Sequence, residues 1–405
     1  MPRFWAFDVP SWELIDADLK LNAPSVTRAL STLKALDASL NRRYAHLVDG
    51  RGEPLIREWG TVICAEHAGV LDVFIVDGIA TEGSQEDMAI TAGGVASFIK
   101  GQPFLAANTT VANAMRNMHQ SLRRRTLPSG AEAGGIGWLH RRREIAGVEV
   151  DPLNLVRAIW RLATSAPRSD VRITVDSTRS DVRIGEEERD VEFTTDEGEE
   201  VAFTTGPHRL SWHGTDDMGG ELDSLAEETP FEWWEESRWD GELPTTRLRL
   251  AHPSKPVTRK DNLFFEVGAN IVDVSVAEWT DHADVVLVTG QGEGSDRVRS
   301  HMADATDRLR RVHVEADRGI NSQSRADERA RNVLRRIKSR AILSDITVAD
   351  HESARFGTFD LGDVITVRGS VGWADLDDDY RITSITHDYT AETQTLGLEE
   401  WTDAQ

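Results

Sequence analysis

Gly60-Thr-Val-Ile63 with Phe74-Ile-Val-Asp-Gly-Ile79, and far downstream Gly362-Asp-Val-Ile365 with Tyr380-Arg-Ile-Thr-Ser-Ile385, read as one pattern written twice. Each copy sets a glycine before a short β-branched run and follows it with a second apolar run of strand length. The reading is two related strand pairs, one near each end of the chain, with chance similarity of unrelated strand pairs as the alternative. Working outward from the first copy, β-rich runs from Phe4 to about Gly83 alternate with turn signals such as Asp49-Gly50-Arg51-Gly52 and Asp77-Gly78. That favours an antiparallel barrel or sandwich. Residues 28 to 45 also keep a helical period, so helix and strands both stay open there. Cys64, in the run Thr61-Val62-Ile63-Cys64-Ala65-Glu66, reads as a buried strand thiol, and as the lone cysteine it has no disulfide partner in the chain. Around the second copy, Asp363-Val-Ile-Thr-Val367 and Tyr380 to Ile385 bracket a long polar loop and lead to Leu396-Gly-Leu-Glu-Glu-Trp401.

Between the copies the signals change. Thr109 or Thr110, Ala112, Met115, His119 and Leu122 keep a helix-like spacing; Arg123, Arg124 and Arg125 then open a glycine-rich connection, Pro128 to Gly137, that Arg141, Arg142 and Arg143 close. Asp151 is an N-cap, Pro152 suits the first helical position, and Leu155, Val156, Ile159 and Trp160 make an apolar stripe, with Pro167 limiting the helix. Residues 171 to 205 read as strands around a turn in which Glu186, Glu187, Glu188, Asp190, Glu192, Asp196, Glu197, Glu199 and Glu200 oppose only Arg189, a solvated hairpin edge. Phe231 to Trp239 holds Trp233, Trp234 and Trp239, three of the twelve tryptophans, a density that fits a packing node or an interface anchor. Strands then run to about His313. A helix follows, opened by the capping-box pattern Ser324-x-x-Asp327, with Ala326, Ala330, Val333, Leu334 and Ile337 on one face.

The bulk numbers bound the function. At 405 residues the chain holds two to four domains, and 39% hydrophobic with 28% charged residues is the composition of a folded chain. A net charge of -23 opposes tight binding to nucleic acid or anionic lipid. No stretch approaches the ~18 apolar residues of a membrane span. Gly290-Gln-Gly-Glu-Gly-Ser295 follows a strand but lacks both the third glycine of a dinucleotide loop and the Gly-Lys-Ser/Thr of a P-loop. Glu232, Glu235 and Glu236 lie at helical spacing beside aromatics, as in a glycosidase; carboxylates on one short segment do not flank a substrate by themselves, and a solvated face backed by the tryptophans is the plainer reading. Asp375, Asp377, Asp378 and Asp379 crowd a loop without the glycine and terminal glutamate of a calcium loop. Neither a His-Glu-x-x-His nor a Gly-x-Ser-x-Gly motif occurs, so no catalytic residue, metal or cofactor is expected. The arginine triplets are expected to pair with carboxylates within or between subunits.

Several blocks, in order, carry a resemblance: Asp151-Pro-Leu-Asn-Leu-Val-Arg-Ala-Ile-Trp160, Leu222-Asp-Ser-Leu-Ala-Glu-Glu-Thr-Pro-Phe-Glu-Trp-Trp-Glu-Glu236, Asp261-Asn-Leu-Phe-Phe-Glu-Val-Gly-Ala-Asn270, Gly290-Gln-Gly-Glu-Gly294, Asp307-Arg-Leu-Arg-Arg311 and Phe359-Asp-Leu-Gly-Asp-Val364. They resemble the minor tail proteins of mycobacteriophage-like siphophages of actinobacteria, part of the tail-hub or baseplate-hub family; Trp59-Gly-Thr-Val-Ile63 and Asp77-Gly78 match its first barrel more loosely. The resemblance implies a β-rich α+β fold with two tail-tube-like antiparallel β-barrels and smaller α/β inserts. It divides the chain into an N-terminal barrel part (1–108), a helical, Gly- and Arg-rich connection (109–170), an acidic, Trp-rich β insert (171–260) and a C-terminal α/β region with the second barrel (261–405). It also implies a homotrimeric ring at the distal tip of a virion tail, assembled in the host cytoplasm. Its partners would be distal tail and tail-tube proteins, the tape measure protein and other minor tail and tip proteins, with genomic DNA passing through without tight binding. No catalytic residue carries over. A cell-wall hydrolase or carbohydrate-binding tip protein, with Trp233, Trp234 and Trp239 as stacking platforms, is the competing expectation.

Overall fold

The structure, a computed structural model, describes residues 2–102, 151–182, 189–211, 218–304, 309–338 and 343–401, with breaks of at most six residues inside these spans. Between 102 and 151 it describes only the backbone of strands at 125–126, 132–133 and 138–139. Strands of three residues or more are labelled here. The N-terminal ones are β1 (Arg3–Asp8), β2 (Leu14–Asp16), β3 (Leu21–Ala29), β4 (Ala35–Asn41), β5 (Thr61–His67), β6 (Val70–Ala80) and β7 (Asp87–Gly94). They pair antiparallel in the order β3, β4, β7, β6, β5, β1, β2. Residues 28 to 45 thus contribute the end of β3 and all of β4: Leu36 and Leu40 fit a period of two as well as one of 3.6, and partners on both sides of β4 decide for the strand. Phe4, Ala6, Leu36, Leu40, Ile63, Phe74, Val76 and Ile90 fill the core on one face. Cys64 is buried on the other with Val62, Val73 and Ile75, and burial pushes its thiol pKa up.

The middle of the chain forms α1 (Pro152–Ala163), β8 (Ile173–Val175), β9 (Arg189–Thr194), β10 (Glu200–Thr205), α2 (Met218–Glu228), β11 (Glu232–Asp240) and β12 (Leu243–Ala251). Asp151 caps α1 by accepting the Leu153 N–H at 2.9 Å, and its carboxylate also takes the Ser180 N–H and hydroxyl. The apolar stripe of α1 packs with Leu222 and Leu225 of α2 and with Trp233, Leu248 and Leu250 in a second core. β9 and β10 form the expected hairpin; the acidic side chains of that hairpin lie outside the described residues.

The C-terminal strands are β13 (Ile271–Val276), β14 (Val285–Thr289), β15 (Arg299–Ala303), β16 (Val312–Ala316), β17 (Leu343–Ala349), β18 (Asp363–Val371), β19 (Ala374–Asp388) and β20 (Thr393–Glu400), with α3 (Gln323–Lys338) between β16 and β17. α3 covers the small β15–β14–β16 sheet through Ala326, Ala330 and Val333 against Val286 and Val288. The expected capping box is not formed as such. Ser324 lies inside the helix, and the Asp327 carboxylate accepts from Ser300 Oγ (2.5 Å) and Gln323 Nε2 (2.9 Å), which hold its pKa down. The long polar loop expected after Val367 is instead the continuation of a hairpin, with β18 and β19 paired as far as Val371 and Ala374. Asp377 and Asp379 therefore sit on a strand, bound to Arg368 (2.8 Å) and Arg259 (2.6 Å), and alternation turns Asp378 the other way. The Asp375 side chain lies outside the described residues; the other three aspartates do not converge on one point.

The two copies of the repeated pattern fold alike along their strands, with a one-residue offset in the turn that precedes them. Ile63 lies opposite Phe74 as Ile365 lies opposite Tyr380. Downstream of each hairpin a bulge falls at the same place, between Val76 and Gly78 and between Ile382 and Ser384. One ladder row reads Ser25, Asp37, Thr91, Gly78; its counterpart reads Ser275, Asp345, Gly397, Ser384. β13, β17, β20, β19 and β18 thus repeat β3, β4, β7, β6 and β5. β3 joins the two units by pairing antiparallel with β19, Ala29 opposite Ser384 through Ser25 opposite Asp388. Among the described residues, ladder pairing alone does not close either unit into a barrel.

Candidate functional site

The tryptophan-rich segment is strand β11, not a helix, so Glu232, Glu235 and Glu236 do not share a face. Odd-numbered residues turn inward. Trp233 is buried in the core with α1, Trp234 faces outward with the Lys255 ammonium 4.9 Å from its ring centroid, and Trp239 meets Trp5 edge-on at 5.1 Å. The three indoles serve three places rather than one platform. Glu235, read as part of a solvated face, is 5% exposed. Its Oε2 accepts the Val95 N–H at 2.8 Å and its Oε1 the Ala96 N–H at 3.1 Å, at the head of a 3₁₀ turn, Val95–Ile99. Burial pushes its pKa up, against the pull of Lys34 and the two N–H groups. Gly94 leaves room for this contact, because a Cβ there would collide with Glu235 Oε1. Glu232 is equally committed: Arg381 grips it with both terminal nitrogens, at 2.7 and 2.6 Å, and the Lys255 N–H donates to it at 2.7 Å. Burial works against the Arg381 charge, and the fork to Glu232 outweighs it and raises the pKa.

From β11 a chain of alternating charge crosses between the units. Lys34 bonds Asp72 at 2.5 Å with both side chains buried, Arg28 reaches Asp72 at 3.9 Å and Asp360 at 3.0 Å, and Lys255 lies 3.8 Å from Asp360. The buried Lys34–Asp72 pair adds little net stability but penalises every arrangement that separates it. Beside them, where β3 meets β19, His387 stacks on Tyr389 at 4.1 Å and meets His67 edge-on at 4.5 Å. Burial first, then His67 and Arg28, push the His387 pKa down to about 4. A cavity of about 20 Å³ between Arg28, Asp72, His387 and Gln394 has room for one water.

A larger cleft of about 1130 Å³ lies on the N-terminal unit, walled by Asp8, Glu13, Arg57, Glu58, Trp59 and Arg168. Arg57 and Asp8 pair with each other there, and Trp59 is half exposed. Nothing in the motifs pointed to this cleft; the one available signal was a tryptophan beside Gly60 in the repeated pattern. The arginine triplets fall where no side chain is described, Arg125 being described only as backbone, and residues 291 to 296 of the Gly290 loop also lie outside the described residues. Among the described residues no three His, Cys, Asp or Glu side chains gather as a metal would require, and no helix is long and apolar enough to cross a membrane.

No protein-family model matches the chain, and no curated protein sequence does. Solved structures do. The 43 kDa tail protein of prophage MuSo2 from Shewanella oneidensis matches over 99% of this chain and 98% of its own, with TM-score 0.54 and 12% identity. The tail protein from Neisseria meningitidis matches over 98% and 96%, with TM-score 0.52 and 10% identity. Identity so low speaks for the fold alone: along nearly its whole length this chain has the β-rich fold of these two tail proteins, the first of them from a prophage.

Proposed function

We propose that this chain is a structural subunit of a phage tail, a hub-type minor tail protein of the kind found in mycobacteriophage-like siphophages, working at the distal tip as a homotrimeric ring. The observation that carries the reading is the internal repeat inside a chain whose whole length matches phage tail proteins. Two equivalent units per chain let three chains offer six equivalent positions, which would join a sixfold tube to threefold tip proteins. The four-part division at residues 108, 170 and 260 and the two-barrel architecture belong to this proposal, as do contacts with distal tail, tail-tube, tape measure and tip proteins. The arginine triplets would then lie at subunit contacts. A trimer carries -69, three times -23, and acidic side chains would outnumber basic ones on the wall of a channel that DNA traverses without sticking.

The subunit performs no chemistry in this reading. Glu232 and Glu235, the carboxylates a hydrolase would need, are held by Arg381 and by two peptide N–H groups. Two measurements test the proposal. Imaging of assembled tails with this subunit tagged should give a threefold ring at the tip, and a hexameric or single-copy ring, or a basic channel wall, overturns it. Purified protein should leave cell wall undigested; digestion would favour the hydrolase.

A further inference from the structure

Lysine and aspartate seldom stand together in a protein interior, and Lys34 and Asp72 do, at 3% and 4% exposure. Each is placed by its neighbours. Lys34 directly precedes β4, and its carbonyl accepts the Gly94 N–H at 2.9 Å. Asp72 on β6 shares a face with Phe74 and Val76 of the core, opposite the small side chain of Ala65. Lys34 Nζ lies 2.5 Å from Asp72 Oδ1. The carboxyl carbon, one C–O bond beyond, is then at about the 3–3.5 Å from which a nucleophile attacks. An ion pair taken out of water gains little over an apolar pair, so stability alone is a weak reason for this one.

Two further groups converge on the pair. Glu235 is buried beside it: after burial itself, the Lys34 charge is the strongest influence on its carboxyl, and the Asp72 charge acts on it as well. A Cβ at Gly94 would meet both Glu235 Oε1 and the Lys34 Cβ, so the two side chains lie next to each other. Each Glu235 oxygen takes one peptide N–H and keeps a second lone pair for a proton in transit. Burial pushes its pKa up, towards the range in which a carboxyl passes protons at neutral pH. On the other side, Arg28 Nε is 3.9 Å from Asp72 Oδ2, where a positive charge steadies an oxyanion. Amine nucleophile, carboxyl electrophile, proton relay and cation are the groups that amide formation needs.

We propose that Lys34 and Asp72 join in an isopeptide bond, formed once by the folded chain on itself, with Glu235 as the proton relay. The ion pair first becomes amine and acid as a proton crosses its hydrogen bond from Nζ to the carboxylate. Nζ then attacks the Asp72 carboxyl carbon and the C–N bond forms, with Arg28 beside the oxyanion. Glu235 takes a proton from the nitrogen and hands it to the departing hydroxyl; the C–O bond breaks and one water leaves. Ammonium and carboxylate have become amide and water, with no other reactant. No substrate turns over. The bond ties β6 to the start of β4 across 38 residues of chain. The intact mass of the full-length protein, unfolded, should be one water below that of its sequence. Trypsin should leave Lys34 uncut and yield peptide 29–42 joined to peptide 58–100. Lys34→Ala and Asp72→Ala should each regain the missing water, and Glu235→Gln should form the bond at least tenfold more slowly. A folded parent at full sequence mass, with Lys34 cut by trypsin, overturns the bond, as does a missing water that persists in Asp72→Ala. Glu235→Gln that links as fast as the parent overturns the relay.

Discussion

Glu235 and His387 are ionisable side chains withdrawn from water, and each makes a measurable demand. Replacing Glu235 by alanine leaves the Val95 and Ala96 N–H groups buried without their acceptor, at ~1–3 kcal/mol each. Glu235→Ala should therefore lose about 2–6 kcal/mol in urea unfolding and Glu235→Gln less, since an amide oxygen still accepts; an unchanged midpoint in Glu235→Ala contradicts the assignment. His387 acts through pH. Its folded pKa of about 4 lies below its ordinary 6.5, so the unfolded chain takes up a proton that the folded chain refuses. The stability it contributes is whole above pH 6.5 and is lost as pH falls towards 4, on the order of 3 kcal/mol at the limit. His387→Phe keeps an aromatic ring in the stack and should flatten that part of the pH profile; parallel profiles for variant and parent count against it. Neither role was legible in the sequence. The spacing of Glu232, Glu235 and Glu236 imitates a helix face, and the alternation of Trp233, Glu235, Ser237 and Trp239, the true signal, places a carboxylate at an inward position, where composition argues against one.

At the scale of elements, β11 ties into two cores through Trp233 and Trp239, while Trp234 faces outward. Trp233 has an unpartnered Nε1 among the described residues, so its value is volume rather than hydrogen bonding. Trp233→Ala should cost ~3–5 kcal/mol and Trp233→Phe under ~1.5 kcal/mol, read as shifts in the chemical denaturation midpoint. Equal losses would mean that the indole N–H matters after all. The elements that sequence reading found are those with local punctuation: α1, opened by Asp151 and Pro152, the apolar stripe of α3, and the two glycine-led hairpins with their shared register. The hairpin ends beyond Val367 were missed because Arg368, Asp377 and Asp378 face solvent there and leave no apolar alternation to read. β4 was ambiguous because two leucines four apart satisfy both periods. The pairing of β3 with β19 leaves no local trace at all.

For the whole molecule, charge and contact work against each other. Copies that each carry -23 repel, while the subunit contacts of the proposed ring attract at short range. Raising salt from ~10 mM to ~150 mM shortens the screening length from ~30 Å to ~8 Å and weakens mainly the repulsion. Self-association should therefore strengthen with salt in sedimentation equilibrium; weakening would point to an interface built on ion pairs. The acidic balance and the phage-tail character of the fold were both readable in the sequence, the second through blocks spread along the chain. Which surfaces meet was not readable, because it depends on what the fold leaves unpaired.

The strand that joins the two units also sets a clock. Thr27 and Thr386 are separated by 359 residues, so at ~5–20 residues per second the ribosome takes roughly 20–70 s to deliver the partner of β3 after β3 itself has emerged. For that interval the growing chain carries an open strand edge, and neighbouring nascent chains on one message carry the same edge. Completion of the last hairpin is then the event that separates a chain needing chaperone cover from one ready to assemble. Translation arrested before Ser384 should leave a product that stays chaperone-bound, and release of the remaining residues should free it.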